Sequence, residues 1–327
     1  MKRTLLLLPL TAMLNAPAEG AGLYLYETGT NDLGLAAAGM AARAQDATVQ
    51  LVNPAGLTRL EGRHLTLGGQ LLYGDLPYDL DDPAKGDVDT VVGWFPAASA
   101  YYSQQLDDRW SAGLALYGNF GLGLDFGDWA GKQLIKKATL IGLTLQPSIA
   151  YRLDEHWSLG AGVGISATLP LSGMVNSPQQ LMVSAFHTLA HDWAIMGNLG
   201  WQDWGRYNDN EVTIFDRTAP QKGLYQDSYH LALGLQHALT PQWTLNGGVA
   251  YDTSAYRDQD HTSLTAPSGS ALRLGTGVTY ALTPQETLGA GFEYIHMESA
   301  SVDERDLSGR YPTPALYFFA LNYGRRF

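Results

Sequence analysis

The chain has 327 residues and a formal net charge of −12. An acidic balance of that size argues against a nucleic-acid partner, whose phosphates require a basic face. The absence of cysteine removes disulfides, thiolate metal sites and cysteine nucleophiles together.

Met1-Lys2-Arg3 is followed by the apolar run Leu5–Leu14 and by Ala16-Pro17-Ala18. A basic start, a short apolar core and an A-x-A end describe a secretory signal peptide, so residues 1–18 are expected to be removed after Ala18. The apolar run is too short for a helix to cross about 30 Å of hydrocarbon. No later stretch approaches the roughly 18 apolar residues that a spanning helix needs, so strands are left as the spanning element.

Residues 19–62 do not alternate. An apolar start, Leu23-Tyr24-Leu25-Tyr26, leads into an Ala- and Gly-rich stretch. Ala36–Ala44 is predicted as a short helix, since alanine costs least there. Asn53-Pro54-Ala55-Gly56 is predicted as a turn, in which proline fixes φ and Asn and Gly take unusual dihedrals. Arg43 and Asp46 form a candidate ion pair. The segment is too small to fold alone and too apolar for a free tail.

From residue 63 onward the pattern has a period of two. Tyr229, Leu231, Leu233 and Leu235 alternate with His230, Ala232, Gly234 and Gln236; Leu272 and Leu274 alternate with Arg273 and Gly275. Alternation of this kind builds strands with an apolar face toward lipid and a small or polar face toward a lumen. An arginine at the bilayer midplane costs about 2–4 kcal/mol, so Arg273 is expected to face inward, where Glu293 or a ligand carboxylate is its expected partner. A turn recurs as Leu106-Asp107-Asp108-Arg109-Trp110, Leu153-Asp154-Glu155-His156-Trp157, Leu239-Thr240-Pro241-Gln242-Trp243 and Leu282-Thr283-Pro284-Gln285-Glu286, with Leu189–Trp193 a looser copy. The connections Gly74–Asp89, Gly205–Gln226, Tyr256–Pro267 and Glu298–Pro312 are long and polar. Short turns at one end and long loops at the other describe an outer-membrane barrel. Counting strands between the turns gives 12, or 14 if Glu211–Asp216 adds a hairpin. In the third strand Gly118, Asn119, Gly121 and Gly123 are candidates for a kink or bulge. The chain ends in an alternating run, Tyr317 to Phe327. The expected fold is therefore all-β: an antiparallel transmembrane barrel over residues 63–327. A barrel of this size has a bore that side chains alone do not fill, and residues 19–62 are expected to sit inside it as a plug.

AGLYLYETGTNDLGLAAAGMAARAQDATVQLVNPAGL, carrying Ala42-Arg43-Ala44-Gln45-Asp46-Ala47 and Asn53-Pro54-Ala55, resembles the N-terminal hatch of the FadL/TodX family of outer-membrane transporters of hydrophobic compounds. Gly200-Trp201-Gln202-Asp203-Trp204 is similar to that family's W-x-D-W strand, and Leu272–Tyr294 to its late hairpin. The resemblance covers the whole chain. It implies a 14-stranded barrel, diffusion-driven uptake of long-chain fatty acids or aromatic hydrocarbons, and a location in the bacterial outer membrane. It also implies a hatch carrying Arg43, Asp46, Asn53, Pro54, Ala55 and Gly56, and a kinked third strand opening sideways into the bilayer. Leu23, Tyr24, Leu25, Tyr26 and Arg273 become ligand-binding candidates; ordinary packing is an equal reading for the first four. Phe327 resembles the terminal residue read by the barrel-assembly machinery. The other expected partners are the hydrophobic ligand, outer-membrane lipid and lipopolysaccharide, around a monomer. A general porin and an adhesion barrel remain alternatives. A lipid-modifying enzyme is the weaker one, since His237 has no serine beside it and no catalytic residue is assigned. His187 and His191 have metal spacing only on a helix, so no metal and no cofactor are expected.

Overall fold

The repeated turn explains where the strands begin. The Asp107 carboxylate accepts the backbone N–H groups of Arg109 and Trp110 at 2.8 and 2.7 Å. Asp154 does the same for His156 and Trp157, both at 2.8 Å. In the third copy the Thr240 hydroxyl accepts from Gln242 and Trp243 at 3.2 and 3.0 Å. A short acceptor side chain thus closes each turn on its own backbone, and Asp or Thr at that position serves equally.

The computed structural model describes residues 25–28, 30–120, 123–133, 136–139, 141–169, 179–190, 192–206, 211–214, 217–220, 224–264, 268–303 and 307–327. The expected signal peptide, Leu23, Tyr24, Gly121 and His191 lie outside them. The spanning strands are β1 (Arg63–Asp75), β2 (Gly93–Gln105), β3 (Trp110–Phe120), β4 (Ile141–Arg152), β5 (Ser158–Gly162 continued by Ile165–Leu169), β6 (Gln180–Ala190), β7 (Trp193–Gln202), β8 (Ser228–Ala238), β9 (Trp243–Asp252), β10 (Ala271–Thr283), β11 (Glu286–Met297) and β12 (Ala315–Arg326). Both halves of β5 pair with β4. The break between them faces Pro147, which has no N–H to give to the ladder.

Apart from β5 and β6, chain neighbours pair antiparallel, and β12 pairs β1 from His64↔Arg326 to Asp75↔Ala315, joining the two ends of the strand run. Among the described residues the wall has 12 crossings, the lower of the two counts expected. Glu211–Ile214 pairs only with Arg217–Pro220, as a hairpin off the main sheet. Among the described residues no pairing joins β5 to β6. No helix among them is long and apolar enough to cross a membrane.

The outward face is apolar and banded. Leucines fill its middle. Trp110 with Tyr151, Trp193 with His237 and Trp243 with Tyr280 pack at the turn end, with ring centroids 4.6, 4.0 and 4.6 Å apart. Tyr73, Trp94, Tyr294 and Tyr317 form a second belt toward the loops. Two aromatic belts around an apolar band match a lipid bilayer with two interfaces.

The loops fold onto one another. Ala300–Val302, Gly309–Tyr311 and Asp79–Leu80 make a small sheet. The Tyr78 hydroxyl donates to the Leu307 carbonyl at 2.5 Å, and that of Tyr311 to the Leu264 carbonyl at 2.8 Å. Beneath them Leu72, Leu76, Phe126, Trp129, Ile295 and Met297 form one buried apolar cluster.

Candidate functional site

Residues 30–60 follow the small side chains of the wall. The 3-10 turn Asn31–Leu35 lies on β9, β10 and β11. A Cβ on Gly248 would fall on the Leu35 carbonyl, and one on Gly275 would meet the backbone from Leu33 to Ala36. Leu35, Ala36 and Ala38 pack among Ala194, Met196, Ala232 and Ala250. The helix predicted over Ala36–Ala44 does not form. Ala36, Ala37 and Ala44 instead take φ of 48, 62 and 42°, in the left-handed region that L-residues enter at a cost. Tertiary packing against an alanine wall overrides propensity here.

The segment is also tied down by polar bonds from inward positions. Asn198 accepts the Gly39 N–H at 2.9 Å and donates to the Ala37 carbonyl. The Gln146 amide donates to the Gln50 carbonyl at 2.6 Å and accepts from the Tyr117 hydroxyl at 2.7 Å. Arg152 donates to the Thr58 carbonyl.

Asn53, Pro54, Ala55 and Gly56 enter the 3-10 turn Pro54–Arg59. Pro54 takes the first position, where its missing N–H costs nothing. The Asn53 amide donates to the Ala41 carbonyl at 2.7 Å and so fastens this turn to the alanine stretch. Pro54 and Ala55 lie directly on Gly160 of β5. Arg43 pairs with Asp32 at 2.7 Å, not with Asp46. Asp46 is consumed locally, its carboxylate accepting the Thr48 N–H at 2.9 Å as the cap of the turn Ala47–Leu51. A cavity of about 630 Å3 opens beside this turn, between Arg152–Ser158 and residues Ser184 and Phe186 of β6.

Arg273 is fully buried and faces inward. Glu293, its expected partner, is 3.7 Å from it, and two closer carboxylates were not foreseen. Its Nη1 meets Glu27 of the N-terminal segment, and its Nε meets Asp252 at 2.5 Å. Asp252 also holds His230 Nδ1 at 2.7 Å, while Gln236, on the same inward row, bonds Asn246. The Tyr26 ring lies 4.5 Å from the His230 ring and 5.3 Å below the guanidinium, and its hydroxyl accepts from Gln202 at 3.1 Å. Leu25 belongs to the apolar cluster under the loops. The structure thus brings Tyr26 to Arg273, while its neighbour Leu25 packs in the apolar cluster. Asp252 and His230 share the inward register with Arg273 and were legible as such. Glu27 carried no signal, because nothing in a non-alternating segment says which side chain reaches the wall.

In the third strand the register with β4 slips between Tyr117↔Thr144 and Phe120↔Gly142, so β3 spends one residue more than β4 across Gly118 and Asn119. Among the described residues its pairing with β2 runs from Ala100↔Leu116 to Gln105↔Ser111. Gly123 begins a separate hairpin, Gly123–Asp125 with Lys137–Thr139. The upper half of β2, Gly93–Ser99, is therefore an edge toward β3, and Pro96 is tolerated on it. Val92 and Phe95 beside that edge pack against the buried apolar cluster.

The family described as "Outer membrane protein transport protein (OMPP1/FadL/TodX)" matches residues 11–170 and 171–327. The chain belongs to this family. The long-chain fatty acid transport protein of Salmonella typhi is 21% identical over 400 residues, covering 90% of this chain and 91% of the relative. Outer membrane protein P1 of Haemophilus influenzae is 29% identical over 174 residues, covering 47% and 38%. Among solved structures, a Pseudomonas aeruginosa FadL homologue superposes with a TM-score of 0.76 at 16% identity, covering 94% of this chain and all of that one. The Pseudomonas putida toluene transporter TodX gives 0.58 at 12% identity, covering 85% and 94%. This FadL/TodX-family chain is thus an outer-membrane β-barrel of a transport family.

Proposed function

We propose that this family member takes small hydrophobic molecules across the outer membrane by diffusion, with residues 19–62 as a hatch. The observation that carries the reading is the continuity of apolar surface. One buried cluster runs from Tyr78, Phe126 and Trp129 under the loops to Leu25 and Leu33 of the N-terminal segment, and abuts the place where β2 and β3 stop pairing. An apolar solute gains about 0.8 kcal/mol per buried methylene along such a path, which a water-filled porin does not offer. Relatives named for long-chain fatty acids and toluene support the same class of cargo.

In this reading ligand enters among the loops and is held where Leu25 and Tyr26 now pack. Displacement of the segment anchored by Asn53, Pro54 and Ala55 lets it leave sideways between β2 and β3, at the irregularity around Gly118 and Asn119. The chain acts as a channel and not an enzyme. It works as a monomer, and Phe327, exposed beyond the last strand, serves its assembly. The test is uptake of labelled oleate and of labelled toluene by a deletion strain with and without the gene. At least one uptake is expected to depend on the gene, with sugar flux unchanged. Pro54→Ala is expected to alter the transported one while leaving the heat-modifiable barrel band intact; unaltered uptake would remove the hatch role.

A further inference from the structure

The charges around Arg273 do not make a binding site for an anion. Its guanidinium contacts Glu27, Asp252 and Glu293. With all three carboxylates ionised the cluster carries two negative charges. Neutralising Glu293 alone still leaves one. Arg43, the other buried arginine among the described residues, is committed to Asp32. A cleft of about 20 Å3, room for about one water molecule, opens between Tyr26, Gln202, Trp204 and Ser228 onto the Asp252 and Arg273 side of the cluster. A ligand head group arriving there meets Asp252 beside a guanidinium already engaged.

We propose that Glu27, Asp252 and Glu293 are specificity-determining residues that make this channel select uncharged hydrophobic ligands and reject their carboxylates. The inference rests on the uptake reading above and narrows it, against the fatty-acid names of its relatives. A carboxylate entering the cleft is repelled by a buried acidic excess, where low polarizability strengthens charge–charge terms. Displacing Glu27 is no escape. It is tethered beside the buried Leu25 and Tyr26, so it competes for Arg273 at the high effective concentration of an intramolecular group. A neutral ligand feels neither term and gains the full apolar contact.

The experiment compares initial uptake of labelled p-xylene with p-toluate, and of 1-dodecanol with dodecanoate, in cells expressing the full chain against empty vector. The gene-dependent rate is expected to favour the neutral member of each pair by about tenfold or more, since an uncompensated buried charge is costly. Glu293→Gln and Asp252→Asn, made singly so that Arg273 keeps two of its three carboxylates, are each expected to raise the ratio of carboxylate to neutral uptake in protein that gives the heat-modifiable band. Carboxylate uptake equal to or faster than neutral uptake through the unaltered chain, or no gain in any folded variant, overturns the selection. No gene-dependent uptake of either member overturns the channel reading itself.

Discussion

Arg43 Nη2 lies 2.7 Å from Asp32 Oδ1, and both side chains are almost sealed from solvent. The pair closes the segment 30–60 on itself before that segment meets the wall. Removing one partner strands the other charge, a change that costs about 3–5 kcal/mol in buried pairs. Asp32→Ala is therefore expected to undock the segment while β1–β12 still assemble. Single-channel conductance in planar bilayers should rise, with an unchanged heat-modifiable band. Asp32→Leu combined with Arg43→Met, which removes both charges, should bring conductance most of the way back.

Gly248→Val tests the docking from the side of the wall. A Cβ there would occupy the position of the Leu35 carbonyl, whereas a Cβ on its neighbour Gly247 meets nothing within 4 Å. The first substitution is expected to raise conductance and the second to leave it unchanged. Equal behaviour of the two would mean that residues 31–36 do not rest on β9.

These two sites separate what the sequence reveals from what it hides. Gly247 and Gly248 stand side by side in a period-two strand, so the faces are legible without coordinates. The 12 described crossings were legible in the same way, with a further hairpin left open, since a turn closed by Asp107 or Thr240 depends only on neighbours. The alanine stretch was not, because Ala36 and Ala37 are held in left-handed conformations by a wall more than a hundred residues away in sequence. Arg43 was expected beside Asp46, three residues on. Its partner, Asp32, is set by how three short turns stack, which spacing does not reveal. Glu27 was missed for the same reason.

The extra residue in β3 lends itself to deletion. Loss of Asn119 would restore equal spacing between Tyr117↔Thr144 and Phe120↔Gly142, allowing β3 to run straight. Uptake of the transported compound is expected to fall by about tenfold or more if the irregularity is the exit, because a straightened β3 can pair the upper half of β2 and close the seam between them. The folded band and its thermal stability should stay the same or improve. Unchanged uptake would move the exit elsewhere in the wall.

The turn at Asp107 gives a pH signature. Hydrogen bonds from the Arg109 and Trp110 N–H groups hold this carboxyl below its ordinary value. Its contribution to stability is therefore present above the ordinary aspartate range and lost as pH falls through the lowered value. Asp107→Asn keeps a neutral acceptor and should flatten that acid-side loss in urea unfolding followed by tryptophan fluorescence. Asp107→Ala should weaken the turn at every pH.

The lipid-facing assignment of the strands is tested within β8. Leu233 is exposed in the middle of this strand, and Gln236, three residues on, turns inward and bonds Asn246 at 3.0 Å. If hydrocarbon surrounds the wall, Leu233→Arg costs about 2–4 kcal/mol, the depth-dependent penalty for a cation at the midplane. Gln236→Arg costs less, because its head group stays in the bore among polar side chains. Unfolding in lipid vesicles should separate the two variants by that margin, and the gap should shrink in a short-chain detergent whose layer is thinner and better hydrated. Equal stabilities in vesicles would mean that the apolar row of β8 does not face lipid, and the membrane placement of the wall would have to be redrawn.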